Sequence, residues 1–592
     1  MSHIHRYTRR HGAQLLSQHR TRFRLWAPSC SSVTLEAENL PPVPMTREND
    51  GWFACETPTG AGLPYRYRIT PDLLVPDPAS TSQPDDVHGP SVVTDPDAYS
   101  WQNPHWRGKP WEEAVIYEVH VGLAGGYTRL AADLPRLAAL GITAIELMPI
   151  AEFPGERNWG YDGVLPFAPE SAYGTPDELK ALIDRAHTLN LMIFLDVVYN
   201  HFGPDGNFIE QYARPFFLQD RRTPWGHAID FTQRPVRDFF IDNALYWLME
   251  FRFDGLRLDA VQAITEQGWL AELRETVRQT VEPDRHVHLI LENENNDARL
   301  LREGFTAQWN DDGHNALHVI LTGETEGYYG NFASHPAEDL SCVLKEGFRF
   351  QGDRSPVTGK ARGAPSADLP TEKFILFLQN HDQTGNRAMG ERLTVLAQPH
   401  MLEAAYALLL LSPQIPMIFS GDEWGTRTPF FFFTSHNAEL ARIVRDGRRQ
   451  EFASFRQFRD PHHRELIPDP NDPQTFERSR PDRREMEQPE HKQWLDRTRE
   501  LLCVRRQYIV PRLKNTHGLD VTHLTGQGCA LLARWAMEDG SVLNIAFNLG
   551  AISARLPSPP QGTSLYGLHT TFPSQDLPPA SLLAWLEGED HV

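Results

Sequence analysis

The chain has little cysteine and little basic charge: five Cys in 592 residues, and 57 Lys and Arg against 78 Asp and Glu. Cys30, Cys55, Cys342, Cys503 and Cys529 are odd in number and far apart, and no Cys-x-x-Cys pair occurs. That pattern argues against a zinc site and a disulfide framework and points to a reduced, cytoplasmic protein. A net charge of −21 argues against a nucleic-acid surface, which would need clustered Lys and Arg. It is no obstacle to a neutral sugar polymer. Long apolar runs are missing too. The most apolar stretch, 404–419, is interrupted by Pro413 and Pro416, and it is shorter than the roughly 20 residues a membrane crossing takes. It reads as a buried helix followed by a buried strand. Residues 1–10 lack the apolar core of a signal peptide.

A chain of 592 residues is too long for one hydrophobic core and implies two to four domains. Apolar and charged contents of 40% and 23% are those of an ordinary globular protein. Over 21–100, short alternating runs such as RFRLWA (22–27) and YRYRI (65–69) are separated by close turn signals. They predict a small β-sandwich, assigned to residues 1–100. From Trp101 the texture changes. Apolar runs at 115–121, 144–148, 192–199, 255–261, 288–292, 306–309, 374–379 and 417–420 alternate with helical patterns such as 176–189, 236–251 and 402–411. Eight such β/α units predict a (β/α)8 TIM barrel over 101–505, with its active site at the C-terminal strand ends. The stretch 328–369 reads as a functional insertion before the seventh strand. Residues 436–500 are strongly charged, carry helical patterns at 438–449 and 492–506, and read as a solvated face rather than a binding patch. Short strand patterns return at 530–535 and 542–548, which predicts a C-terminal β-sandwich over 506–592.

Four of the barrel segments end in groups that sugar chemistry needs. They are DVVYNH (196–201), GLRLD (255–259), LILE (289–292) and QNHD (379–382). Hydrolysing an α-glucosidic bond with retention requires two carboxyl groups about 5–5.5 Å apart. Asp259 and Glu292 end consecutive strands, and neighbouring strands lie roughly 4.8 Å apart. Arg257 sits two residues before Asp259, hence on the same strand face, where it would hold that carboxylate ionised. Glu292 emerges from an apolar strand, surroundings that raise a carboxyl pKa and suit a proton donor. Asp382 would grip the hydroxyls of the reacting ring, and His201 and His381 would donate hydrogen bonds to the same sugar. Each motif alone has a plainer reading. Arg-x-Asp can be a surface ion pair, Asn-His-Asp a loop or helix cap, and Asp196 a cap or a structural partner of Arg257. Metal ligation by His201 or by His462 and His463 lacks suitable spacing. What outweighs the plainer readings is the joint occurrence of all four motifs in barrel order.

In order and content the four segments resemble the signature regions of the α-amylase family of retaining glycoside hydrolases. The resemblance implies that Asp259 is the nucleophile, Glu292 the acid/base and Asp382 the transition-state stabiliser. The stretches 158–164 (NWGYDGV), 199–207 (YNHFGPDGN), 309–314 (WNDDGH), 321–329 (LTGETEGYY), 379–387 (QNHDQTGNR), 428–436 (TPFFFFTSH) and 446–452 (DGRRQEF) narrow it. Together, over nearly the whole chain, they resemble the maltooligosyltrehalose trehalohydrolases. Those enzymes cut the α-1,4 bond next to the terminal trehalose of maltooligosyltrehalose and leave a shortened α-1,4-glucan oligosaccharide. The likeness implies a sugar site including Arg257, His201, Tyr161, Gln262, Asn310, Asp311, Asp312, His314, Asn380, His381, Gln383 and Asn386. It also implies no cofactor, no metal (Asn200 being the one possible calcium ligand), and a pathway shared with a maltooligosyltrehalose synthase. Trp159, Tyr161, Trp225 and Trp309 are candidates to stack on sugar rings or to lie in the core. Phe430 to Phe433 are either a wall of the cleft or packing. The sequence departs from the family pattern at 293–296 (NENN), where Ala and an acidic residue are usual, and at Gln262 and Asn315, where His is common. Two rival expectations remain: a branching or debranching enzyme, and a non-catalytic glycan-binding relative, which would typically have lost a carboxylate.

Overall fold

The computed structural model describes residues 8–223, 226–524 and 528–588. At its centre eight parallel strands close a barrel. They are β1 (Ile116–Val119), β2 (Ala144–Leu147), β3 (Met192–Val197), β4 (Gly255–Leu258), β5 (His288–Leu291), β6 (Ala307–Trp309), β7 (Phe374–Leu376) and β8 (Ile415–Phe419). Every residue of these strands is buried, as expected of strands with side chains inside the barrel and helices outside. All eight apolar runs of the sequence became barrel strands. The last begins earlier than expected and takes in Pro416, which pairs with Leu376 of β7, while pairing with β1 starts at Met417. A missing N–H therefore costs β1 no ladder bond.

The helices follow from spacing and caps. Thr175 and Glu178 form a reciprocal capping box at the start of Pro176–Thr188, with Pro at the first turn. Such a cap contributes about 1 kcal/mol. Leu179, Leu182, Ile183 and Ala186 then recur on one face and are buried. The helix expected over 236–251 is an α-helix over Arg234–Leu245 that widens into a π turn over Tyr246–Glu250. The inserted stretch before β7 folds into a helix, Pro336–Glu346, and a hairpin of Gln351–Arg354 with Ala361–Gly363.

Two small β units flank the barrel. In the N-terminal one, Gln14–Ser17, Arg20–Trp26, Trp52–Thr57 and Thr46–Arg47 make one sheet. Val43–Pro44, Thr34–Ala37, Pro64–Thr70, Leu73–Val75 and Ser91–Val92 make the other. Asp242, fully buried on a barrel helix, ties this unit down by accepting the Arg10 backbone N–H at 2.7 Å and pairing with His11 Nδ1 at 3.1 Å. The C-terminal unit is a five-stranded antiparallel sheet, ordered His517–His523, Ala530–Ala536, Val542–Asn548, Ser581–Glu587, Thr563–Leu568. Alternation decides its two faces. Leu532, Ala546, Leu583 and Trp585 pack under a two-stranded ribbon carrying Ala554 and Leu577. Leu531, Ala533, Trp535, Ile545 and Phe547 join the core that includes the barrel. Among the described residues no helix is long and apolar enough to cross a membrane.

Candidate active site

Register places the first pair of acids. Leu258 of β4 pairs with Leu291 of β5, so Asp259 and Glu292 occupy the next rung. The ladder continues past the strand ends, because Glu292 N donates to Leu258 O at 3.1 Å and Val261 N donates to Glu292 O at 3.0 Å. On the other side Asp196 of β3 pairs with Arg257 of β4. The Arg257 guanidinium thus lies among three carboxylates. Its Nη1 is 2.8 Å from Asp196 and 2.8 Å from Asp259, and its Nη2 is 2.9 Å from Glu292. The side chain is 0% exposed, whereas those of Asp259, Glu292 and Asp382 are 12%, 17% and 39% exposed. The cation is sealed in while the acids still reach the mouth. The Trp309 ring lies 4.0 Å from Arg257 Cζ and closes off its other side.

The two carboxyls are biased in opposite directions. Burial pushes Asp259 up, but Arg257, His201 and a 2.7 Å hydrogen bond from Asn200 Nδ2 outweigh it and hold Asp259 below the usual carboxylate range. Burial also pushes Glu292 up. There Arg257 is opposed by the negative charges of Asp259, Asp382 and Asp311, and the Glu292 carboxyl ends well above its ordinary value. Ala260 adds a fixed contact: its backbone is left-handed (φ 40°), and its N–H donates to Glu292 Oε2 at 2.8 Å. This turn aims the amide of the residue after Asp259 at the neighbouring acid.

Asp382 sits in the first turn of a short helix, His381–Gly385, that starts after β7. Asn386 Nδ2 donates to its Oδ1 at 3.2 Å, and His381 Nε2 lies 3.6 Å away. Facing it is Asp311, pushed up to about 7 by burial and by the charge of Asp382, with Gln383 Nε2 3.4 Å from its Oδ1. Tyr161 donates its hydroxyl to Asp196 at 2.6 Å and stacks on His381 at 5.1 Å. Gln262 is partly open and accepts the Glu294 N–H at 3.3 Å, within the departing 293–296 stretch. Asp259, Glu292, Asp382, Arg257, Tyr161, Gln262, Asp311, Gln383 and Asn386 therefore gather at one end of the barrel.

Several residues expected at the sugar site are largely enclosed by the protein. Asn310 is fully buried and donates to Gly347 O at 2.8 Å. Asp312 is equally buried and is taken up by Asn296 Nδ2, Arg362 and the N–H groups of Arg349 and Phe350. His314, also 0% exposed, bonds Leu378 O and the Tyr329 hydroxyl. Asn380 caps the 381–385 helix through Asp382 N and Gln383 N, so the cap reading of Asn-His-Asp is part of its role. His201 is 5% exposed with both ring nitrogens engaged, by Asn200 Oδ1 and Tyr161 O. These five are buried beside the site, each with at least one protein partner. Trp159 stacks on Phe430 and donates to Phe431 O, Trp309 lies beneath Arg257, and Phe430, Phe431 and Phe433 are buried; all are core. Trp225 lies outside the described residues. Asn200 donates its amide N–H to Asp259 Oδ2 at 2.7 Å, and its Oδ1 lies against His201 Nδ1.

Sequence reasoning missed Glu118 and Glu146, acids inside the apolar runs of β1 and β2. Both are 1% exposed, and they are register partners. A lone charge in a run that is otherwise wholly apolar was the available signal. It also missed Arg448. That residue belongs to the charged segment read as a solvated face, yet it is buried and donates to Gly385 O at 2.8 Å and Arg387 O at 3.0 Å. It clamps the helix that carries Asp382.

Comparison with known proteins places the chain among glycoside hydrolases. Residues 118–243 match the alpha amylase catalytic domain, and residues 517–584 match a domain of unknown function, DUF3459. The malto-oligosyltrehalose trehalohydrolase of Deinococcus radiodurans is 39% identical over 513 residues, 85% of this chain and 84% of that protein. The enzyme of the same name from Saccharolobus solfataricus is 40% identical over 443 residues, 72% of this chain and 78% of that protein. A crystal structure from Salmonella typhimurium, described as an alpha amylase, superposes with a TM-score of 0.92 at 42% identity. It covers 98% of this chain and all of that one.

Proposed function

Because the chain belongs to the malto-oligosyltrehalose trehalohydrolases of the alpha-amylase family, we propose that it hydrolyses the α-1,4 bond next to the terminal trehalose of maltooligosyltrehalose, with retention, at the Asp259–Glu292 pair. The observation that carries this reading is the single buried guanidinium shared by Asp196, Asp259 and Glu292, with the last two biased in opposite directions. One acid is thereby kept ionised for attack and the other protonated for donation, the division of labour a retaining glycosidase requires.

Glu292 gives its proton to the glycosidic oxygen, and trehalose leaves through its 4-hydroxyl. Asp259 forms a bond to the anomeric carbon of the remaining glucosyl unit, giving a covalent glycosyl-enzyme. Glu292, now a carboxylate, takes a proton from water, which attacks the same carbon and releases Asp259. The products are trehalose and a shortened maltooligosaccharide. Asp382 holds the hydroxyls of the distorted ring, with Gln383, Asn386 and Asp311 beside it. The substrate must be supplied by an enzyme that turns a reducing-end α-1,4 link into the α,α-1,1 link of trehalose, a maltooligosyltrehalose synthase. The sparse, scattered cysteines support a cytoplasmic setting for this chain.

Product analysis tests the reading. With maltooligosyltrehalose, free trehalose and a shortened maltooligosaccharide are expected in equal amounts, and plain maltooligosaccharide should be cut far more slowly. Equal rates on the two substrates would remove the trehalose preference and leave the glycosidase. Cut or transferred α-1,6 branches would replace it with a branching or debranching enzyme.

A further inference from the structure

Glu118 ends β1 and takes no part in the steps above, yet both its oxygens are committed to one residue of the site. Its Oε1 is 2.5 Å from His381 Nδ1, and its Oε2 accepts the His381 backbone N–H at 3.0 Å. Both side chains are 2% exposed. Because one carboxylate holds the ring and the backbone of the same residue, it fixes where the helix carrying Asp382 begins as well as how the ring is turned. The far ring nitrogen, Nε2, is left facing Asp382 Oδ1 at 3.6 Å, longer than a hydrogen bond, with the Asp382 side chain 39% exposed at the mouth. Stacking on Tyr161 restricts the remaining rotation.

The charges around the imidazole come from every side. Glu118 reaches it from β1, Glu146 lies behind on β2, Arg257 faces it from β4, His120 follows β1, and Asp382 is its neighbour. Burial and Arg257 disfavour an imidazolium, but Glu118 and Asp382 outweigh them and lift His381 to about 9. Glu146 has no hydrogen-bond partner on either oxygen among the described residues, and burial beside Glu118 pushes its carboxyl far up, so it adds little opposing charge.

We propose that Glu118 is a positioning residue for the reaction: it orients the His381 ring and supplies its counter-charge, so that a cationic Nε2–H donor faces Asp382 and the sugar bound against it. The part of this inference that concerns turnover rests on the glycosidase reading; the part that concerns His381 does not.

The test uses the full chain with Glu118→Gln, which keeps the shape and removes the charge, and Glu118→Asp, which keeps the charge. Titrating the His381 imidazole by NMR, assigned by its loss in His381→Gln, is expected to give a midpoint near 9 in the wild type, and at least one pH unit lower in Glu118→Gln. On maltooligosyltrehalose, kcat of Glu118→Gln is expected to fall roughly 10-fold or more, as befits a weakened donor in the transition state, with KM little changed. Glu118→Asp should recover part of both. A wild-type midpoint near the ordinary value of roughly 6.5 overturns the proposal whether or not any variant folds. So does an unchanged midpoint in Glu118→Gln, or equal impairment of the Gln and Asp variants with the midpoint unmoved, which would mark a merely structural acid. If the protein does not hydrolyse maltooligosyltrehalose, the function fails on the kinetic arm while the titration still decides the role of Glu118.

Discussion

Arg257 is sealed in beneath the mouth of the barrel, between the acids that reach it. One buried cation lies among three carboxylates and opposes the burial that pushes each of them up, its Nη1 and Nη2 engaging different partners at 2.8 and 2.9 Å. The two acids it touches at the mouth should separate kinetically. Glu292→Gln is expected to lose about 10²–10⁴-fold in kcat on maltooligosyltrehalose, the usual contribution of a general acid. Formation of the glycosyl-enzyme from an α-glucosyl fluoride, read as a burst of fluoride, should slow far less, because that leaving group needs no proton, while the water step still lacks its base. Asp259→Ala should lose most of its activity on both. A burst rate from the fluoride that falls as far in Glu292→Gln as kcat on maltooligosyltrehalose would sink the assignment. The pH dependence follows from the same shifts. Asp259, held low, must be ionised, so activity should persist to below the usual carboxylate range; Glu292, held high, must be protonated, so activity should fall as pH rises through its raised value. In Glu292→Gln with the fluoride, the alkaline fall should vanish. Here the sequence was informative: Arg257 and Asp259 are two residues apart on a strand, and period 2 puts them on one face whatever the rest of the fold does.

At the scale of elements, the short helix His381–Gly385 is the piece on which the site depends most, and it is held by parts remote in sequence. Asn380 caps its start, Glu118 grips its first residue, and Arg448 bonds the carbonyl of its last. A Cβ on Gly385 would collide with the Trp159 ring, which is wedged against Phe430, so neither side can yield freely. Gly385→Ala is therefore expected to cost about 1–3 kcal/mol, as overpacking does. Because the strain bears on the turn that carries Asp382, kcat should fall with stability. Denaturant unfolding and kcat measured on one preparation check this, and wild-type values in both would refute it. Ala260 is a second local device. Its left-handed backbone follows from no propensity in the sequence and is visible only beside Glu292, whose carboxylate its N–H meets.

At the scale of the molecule, the barrel is fastened to a β unit on each side. Trp535, fully buried in the C-terminal sheet, donates its indole N–H to Leu344 O of the Pro336–Glu346 helix at 2.8 Å. Trp535→Ala should cost about 3–5 kcal/mol, the usual range for a buried Trp. The kcat of the folded variant at 25 °C should be unchanged, because the contact lies behind the insertion rather than at the mouth. Denaturant unfolding reads the first and steady-state kinetics the second; unchanged stability would show that this face is not structurally coupled to the barrel. By itself the sequence determined the eight barrel strands and the two flanking β units, since each is written in local periodicity, and it singled out Asp259, Glu292 and Asp382 as residues that end apolar runs. The tertiary structure decided which polar residues reach the mouth of the barrel and which are enclosed. Asn310, Asp312 and His314 read in sequence like Asp311, but a buried polar group with its partners supplied and an exposed one waiting for a ligand look the same until the partners are known. Those partners, Gly347, Arg362, Tyr329 and, for His381, Glu118, come from other elements of the chain, so only the closed barrel could reveal them.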